Sequence, residues 1–121
     1  MVTARARFIQ KKISKKYGIV GKVAGRYIGA GYSVSFNKKV GDLTFDFIAS
    51  KNRQILAIKI VSNTTLVKPG LVDQVAEAAK KISAKPVIIL YGSGPSISED
   101  ALKKANEAGV SIKRLRVRLM S

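Results

Sequence analysis

The segment PVIILY, residues 86–91, constrains the fold more than any other part of the chain. It is apolar without interruption, so it has no alternate positions to turn toward water. A run of this length reads as a strand covered on both faces. Such a strand needs helices above and below its sheet, and parallel neighbours reached through crossovers. The flanking sequence supplies them. Leu71, Val75, Ala78, Ala79 and Ile82 recur at helical spacing over 71–82, after a loop SNTTLVKPG whose Pro69 stands near the helix start. After PVIILY, the loop GSGPSISED leads to another helix. Ser98 is its expected N-cap, Glu99 and Asp100 suit its first turn, and Gly109 stops it after Ala108. A last strand over 110–117 follows.

The N-terminal half has a different rhythm. Tyr32, Val34 and Phe36 alternate with serines, which predicts a strand over 32–37. Lys38, Lys39, Val40 and Gly41 are expected to turn the chain, and strands follow over 43–49 and 54–61. Upstream, IVGKVAGRYIGAG (19–31) reads as a helix with Gly21, Gly25 and Gly29 on one side. Each glycine costs a helix about 1 kcal/mol, so the stripe implies close approach to the sheet or to a phosphate backbone. The order is helix, three-strand meander, helix, strand, helix, strand. It predicts a single α/β domain, residues 19–121, with a mixed β-sheet flanked by helices. A basic arm or helix, residues 1–18, precedes it.

Charge narrows the function. Lys and Arg number 23 against 7 Asp and Glu, for a net charge of +16. Self-repulsion on that scale is relieved by a polyanion, which points to nucleic acid. The expected phosphate contacts are Arg5, Arg7, Lys11, Lys12, Lys15 and Lys16 in the arm, and Lys22 and Arg26 on the first helix. Lys38, Lys39, Lys51 and Arg53 join them from the turns, and Lys113, Arg114, Arg116 and Arg118 from the tail. The chain has no cysteine and no histidine, which excludes disulfides, thiolate zinc sites and His-based triads. No cofactor and no metal are expected. No segment approaches the roughly 20 apolar residues of a membrane span, and the N-terminus lacks the apolar core of a signal peptide. A cytoplasmic location is expected. Few soft residues and many Lys and Ile are compatible with a thermophile.

Two charges sit inside strands, Asp46 in FDFIAS and Lys59 in ILAIKIVS. These stretches, with AGRYIGAGYSV before them and LVDQVAEAAKKISAKPVIILYG after, resemble the core of the PD-(D/E)XK nuclease fold. Restriction enzymes and archaeal Holliday junction resolvases share that fold, and the resemblance covers roughly residues 20–92. It implies that Asp46 stands at the metal aspartate, Lys59 at the second acid and Val61 at the catalytic lysine. Gln74 matches a glutamine at the start of the next helix. Val20 or Gly21 stands where many members carry glutamate. An alternative register puts Ala57 at the acid and Lys59 at the lysine. Either way a carboxylate is missing, so the resemblance implies a vestigial site and no enzyme. Asp46 and Lys59 are expected to form a partly buried ion pair whose disruption costs about 3–5 kcal/mol.

The function expected on this basis is a non-enzymatic RNA-binding component of a ribonucleoprotein such as the ribosome. Its partners would be ribosomal RNA and neighbouring ribosomal proteins, with RNA favoured over DNA. The alternative is a protein that binds branched DNA, related to the resolvases and inactive or weakly active. A third reading is an active nuclease using Asp42, Asp46, Glu77 and Lys59.

Overall fold

The structure, a computed structural model, describes residues 18–115. The arm cations from Arg5 to Lys16, and Arg116 and Arg118 in the tail, lie outside the described residues. The elements are α1 (Ile19–Gly29), β1 (Ser33–Val40), β2 (Leu43–Lys51), β3 (Gln54–Val61), β4 (Leu66–Val67) and α2 (Pro69–Lys81). β5 (Lys85–Tyr91), β6 (Ser96–Ile97), α3 (Glu99–Ala108) and β7 (Ser111–Leu115) complete the described chain.

The main sheet has the order β1-β2-β3-β5-β7. β1, β2 and β3 form an antiparallel meander, while β3, β5 and β7 run parallel. This is the mixed sheet that the sequence predicts. β5 serves both faces of it. Val87 and Ile89 join Val23, Phe47 and Ile58 in the core under α1. Ile88 and Leu90 join Val72, Val75 and Ala101 in the core under α2 and α3.

The local signals explain most boundaries. Ser98 Oγ accepts a hydrogen bond from the Ala101 N–H at 3.1 Å, capping α3. Gly109 ends that helix in the left-handed region, at φ 74°. Asn52 and Arg53, at φ 51° and 68°, make the two-residue turn between β2 and β3. On α1, Val20, Val23, Ala24 and Tyr27 form the stripe that meets the sheet. Gly21 and Gly25 are buried too, but helical spacing puts them on the flank of that stripe.

Two features depart from the expected pattern. Lys38 and Lys39 continue β1 instead of turning it, and the turn falls at Gly41 and Asp42. The loops expected over 62–70 and 92–100 pair with each other through β4 and β6. The β1–β2 hairpin also exchanges faces partway along. Val34 and Phe36 pack on the α1 side, whereas Val40 packs on the α2 side. On β2, Phe47 and Ala49 face α1, but Phe45 and Leu43 face α2. Asn37, with φ 55°, lies at the switch on β1. Asp46 is its opposite number on β2, between the pairs Phe36–Phe47 and Lys38–Phe45.

Candidate functional site: a fork between two strands

The β2–β3 ladder starts at Lys51–Gln54 and ends at Phe47–Ile58. Past that point β3 stays paired with β5 up to Val61–Leu90, while β2 remains with β1. The strands therefore fork. One register step beyond the last pair, Asp46 and Lys59 stand opposite each other, both half-buried.

Side chains bridge the fork where the ladder has stopped. Asp46 Oδ2 accepts the Ile60 N–H at 2.6 Å. Lys59 Nζ donates to the Thr44 carbonyl at 3.3 Å. The expected Asp46–Lys59 ion pair does not form. Among the described residues the ion pair present is Lys104–Asp73, at 3.5 Å on the surface. The reason lies in the fork: the Ile60 amide has no ladder partner on the β2 side, and an unpaired amide is costly. The carboxylate satisfies it in a short charge-assisted bond.

The other positions implied by the resemblance scatter. Val61 packs against the core under α2 and α3, and Ala57 is buried within it. Val20 packs on the α1 side. Gln74 is exposed on α2, one turn before Glu77. Both line a cleft of about 170 Å³ between that helix and the hairpin turn, with Asp42 and Lys81. The structure thus brings Asp42, Gln74 and Glu77 together near the tip of β2, and Asp46 and Lys59 at the fork.

The predicted phosphate contacts divide. Lys51 Nζ donates to the Ala30 carbonyl at 2.7 Å, capping the C-terminus of α1, and sits 5.5 Å from the Tyr32 ring centroid. Arg114 spends its fork on the Gly92 and Pro95 carbonyls, both at 2.7 Å. These two cations hold the fold. Lys22, Arg26, Lys38, Lys39, Arg53 and Lys113 are exposed. Sequence reading missed one arrangement: Arg26 and Lys113 rim a single cleft floored by Ile89 and walled by Tyr27 and Tyr32. The visible signal was small, an Arg-Tyr step on α1 and a second tyrosine after the helix stop.

A leading helix, a meander that forks at an acid, a helix and a buried parallel strand make a restriction-endonuclease-like domain. Residues 17–121 match the PD-(D/E)XK superfamily domain, and the chain belongs to that superfamily. No curated protein sequence matches it. Solved structures that resemble it include a repair endonuclease from Pyrococcus abyssi, with TM-score 0.60 and 14% identity over 91% of this chain and 46% of that one. The SfsA protein of Pyrococcus furiosus in complex with Ca²⁺ gives TM-score 0.57 and 16% identity, over 93% and 59%. EndoMS in complex with double-stranded DNA gives 0.53 and 15%, over 96% and 46%. The chain spans 46% to 59% of the length of these structures.

These findings overturn the expectation that the chain is not an enzyme. It belongs to the PD-(D/E)XK superfamily, and a repair endonuclease stands among the structures it resembles. The expectation rested on one missing carboxylate. A magnesium ion is usually held by only one or two carboxylates together with substrate phosphates, so Lys59 at the second acid position does not decide activity. The RNA-scaffold and ribosomal expectations find no support in these comparisons.

The fold family implies a divalent cation. The described residues hold no cluster of three acids that would cage one without substrate. Asp46 offers such a cation one carboxylate oxygen: its Oδ2 is anchored on Ile60, and its Oδ1 takes no hydrogen bond from the described residues. No helix of the described residues is long and apolar enough to cross a membrane.

Proposed function

We propose that the chain is a DNA-directed nuclease domain that cleaves a phosphodiester at the fork between β2 and β3, with branched DNA as its substrate class. The observation that carries this reading is the fork itself, an anchored carboxylate and a lysine at the point where the strands part. Asp46 would hold a divalent cation together with the scissile phosphate. When bound, the cation supplies charge neutralisation and an acidified water. The Ile60 N–H fixes the carboxylate, so no reorientation is needed as charge builds up. Lys59 is held only by a long bond to the Thr44 carbonyl. Its ammonium is free to turn to a phosphate oxygen and offset negative charge there. Lys38 and Lys39, exposed on the hairpin beside the fork, supply backbone contacts that fix register without reading sequence.

The test is cleavage of four-way, three-way and linear duplex DNA in Mg²⁺ or Mn²⁺. The expected result is cleavage that prefers branched substrates and is lost in Asp46→Asn, with DNA binding kept. Absence of cleavage on every DNA in both metals would refute hydrolysis. Tighter binding to folded RNA than to branched DNA would refute the substrate class.

A further inference from the structure

The cleft between the C-terminal end of α1 and the edge of the sheet has the chemistry of a nucleotide pocket. Its volume is about 230 Å³. Cofactor and drug-sized pockets run from roughly 300 Å³ upward, so this one suits a single planar ring. Ile89, buried, and Leu115, half-buried, form its apolar floor. Two aromatic rings wall it. Tyr27 and Tyr32 meet edge to face with centroids 5.4 Å apart, and Tyr27 is braced from behind by Phe47 at 5.5 Å.

The backbone fixes this pair in place. Gly31, at φ 97°, reverses the chain after α1. The Tyr32 N–H then donates to the Tyr27 carbonyl at 2.9 Å. Among the described residues, the rim carries charge of one sign only. Arg26 and Lys113 are both exposed, no acid lines the cleft, and neither cation pairs with a carboxylate among the described residues. An apolar slot with aromatic walls and two unneutralised cations matches a base joined to a phosphate.

From this geometry we infer that the cleft is a second nucleic-acid site, which takes one unpaired nucleotide. The base enters against the tyrosine rings and its phosphate lies between Arg26 and Lys113. The inference rests on the DNA-directed reading for the polymer but not on hydrolysis at the fork. Duplexes with flaps, bulges or damage expose unpaired bases, so the pocket gives the domain a way to select them. A fully paired base cannot enter without leaving its stack.

The test is fluorescence anisotropy in EDTA, comparing a DNA duplex carrying one unpaired thymidine with the same duplex fully paired. The unpaired site is expected to bind more tightly, on the order of ten-fold. Tyr32→Leu should erase that difference. So should the double variant Arg26→Gln with Lys113→Gln, whose positions are exposed and leave the core intact. Asp46→Asn should keep it. Equal affinity of the unmodified protein for the two duplexes would overturn the proposal, as would a folded double variant that retains the preference. If DNA cleavage is never seen but the preference stands, the fork reading falls and the pocket remains.

Discussion

The fork makes a quantitative prediction through a double-mutant cycle of Asp46→Ala and Lys59→Met. Asp46 removal deletes a 2.6 Å bond from a backbone N–H to a charged acceptor. Bonds to charged groups contribute about 1.5–3 kcal/mol. The site is only half-buried, so water reaches the released amide and the loss falls near the lower end, about 1.5–2 kcal/mol. Lys59→Met keeps the apolar stem and loses one bond to the Thr44 carbonyl, whose 3.3 Å length and exposure to water reduce the contribution of its charged donor to about 0.5–1 kcal/mol. Each side chain is tied to backbone and not to the other. Their coupling should therefore stay below about 1 kcal/mol, at the low end of the range for neighbouring residues. A buried ion pair would behave differently, with each single loss near 3–5 kcal/mol. Urea unfolding of the four proteins at neutral pH measures all three quantities. A coupling above about 1.5 kcal/mol, or a Lys59→Met loss exceeding that of Asp46→Ala, would refute this account of the fork.

Two further outcomes are checkable. Burial, and the neighbouring Tyr32, raise the Tyr27 phenol above its ordinary value of 10.0. The unfolded chain then loses this proton first. The contribution is whole below about pH 10 and is lost as pH rises through the higher folded value. Melting curves from about pH 9 to 11.5 should show a steeper decline for the unmodified protein than for Tyr27→Phe, and parallel declines would remove the role of the phenol. For DNA binding, Lys38→Gln with Lys39→Gln should reduce the salt slope by roughly 0.9 for each phosphate no longer neutralised. A slope equal to that of the unmodified protein would take the hairpin out of the interface.

Much of the architecture could be read from the chain. PVIILY behaves as its unbroken apolar run requires, feeding Ile88 and Leu90 to one core and Val87 and Ile89 to the other. Ser98 and Gly109 cap α3 by local chemistry that needs no tertiary context. Asp46 and Lys59 can be placed on neighbouring strands from the sequence, but the partners they choose cannot. That choice depends on where the ladder ends, which is set by the divergence of β2 toward β1. Lys51 and Arg114 illustrate a second limit. A cation bound for a phosphate and one bound for a carbonyl look identical in sequence, and only the fold delivers Ala30, Gly92 and Pro95 to them. The face exchange was hidden for a third reason. Phe45, Phe47 and Ala49 read as one side of a strand, since period-two alternation assumes a backbone that does not rotate between them.

That rotation has a consequence for how the molecule comes apart. Phe45 and Phe47, both fully buried, insert from one strand into opposite layers. The hairpin acts as a stitch passed through the sheet. Pulling either layer loose drags the same thread out of the other, so the layers should be lost in a single cooperative event, with hydrogen exchange in the two cores sharing one opening free energy.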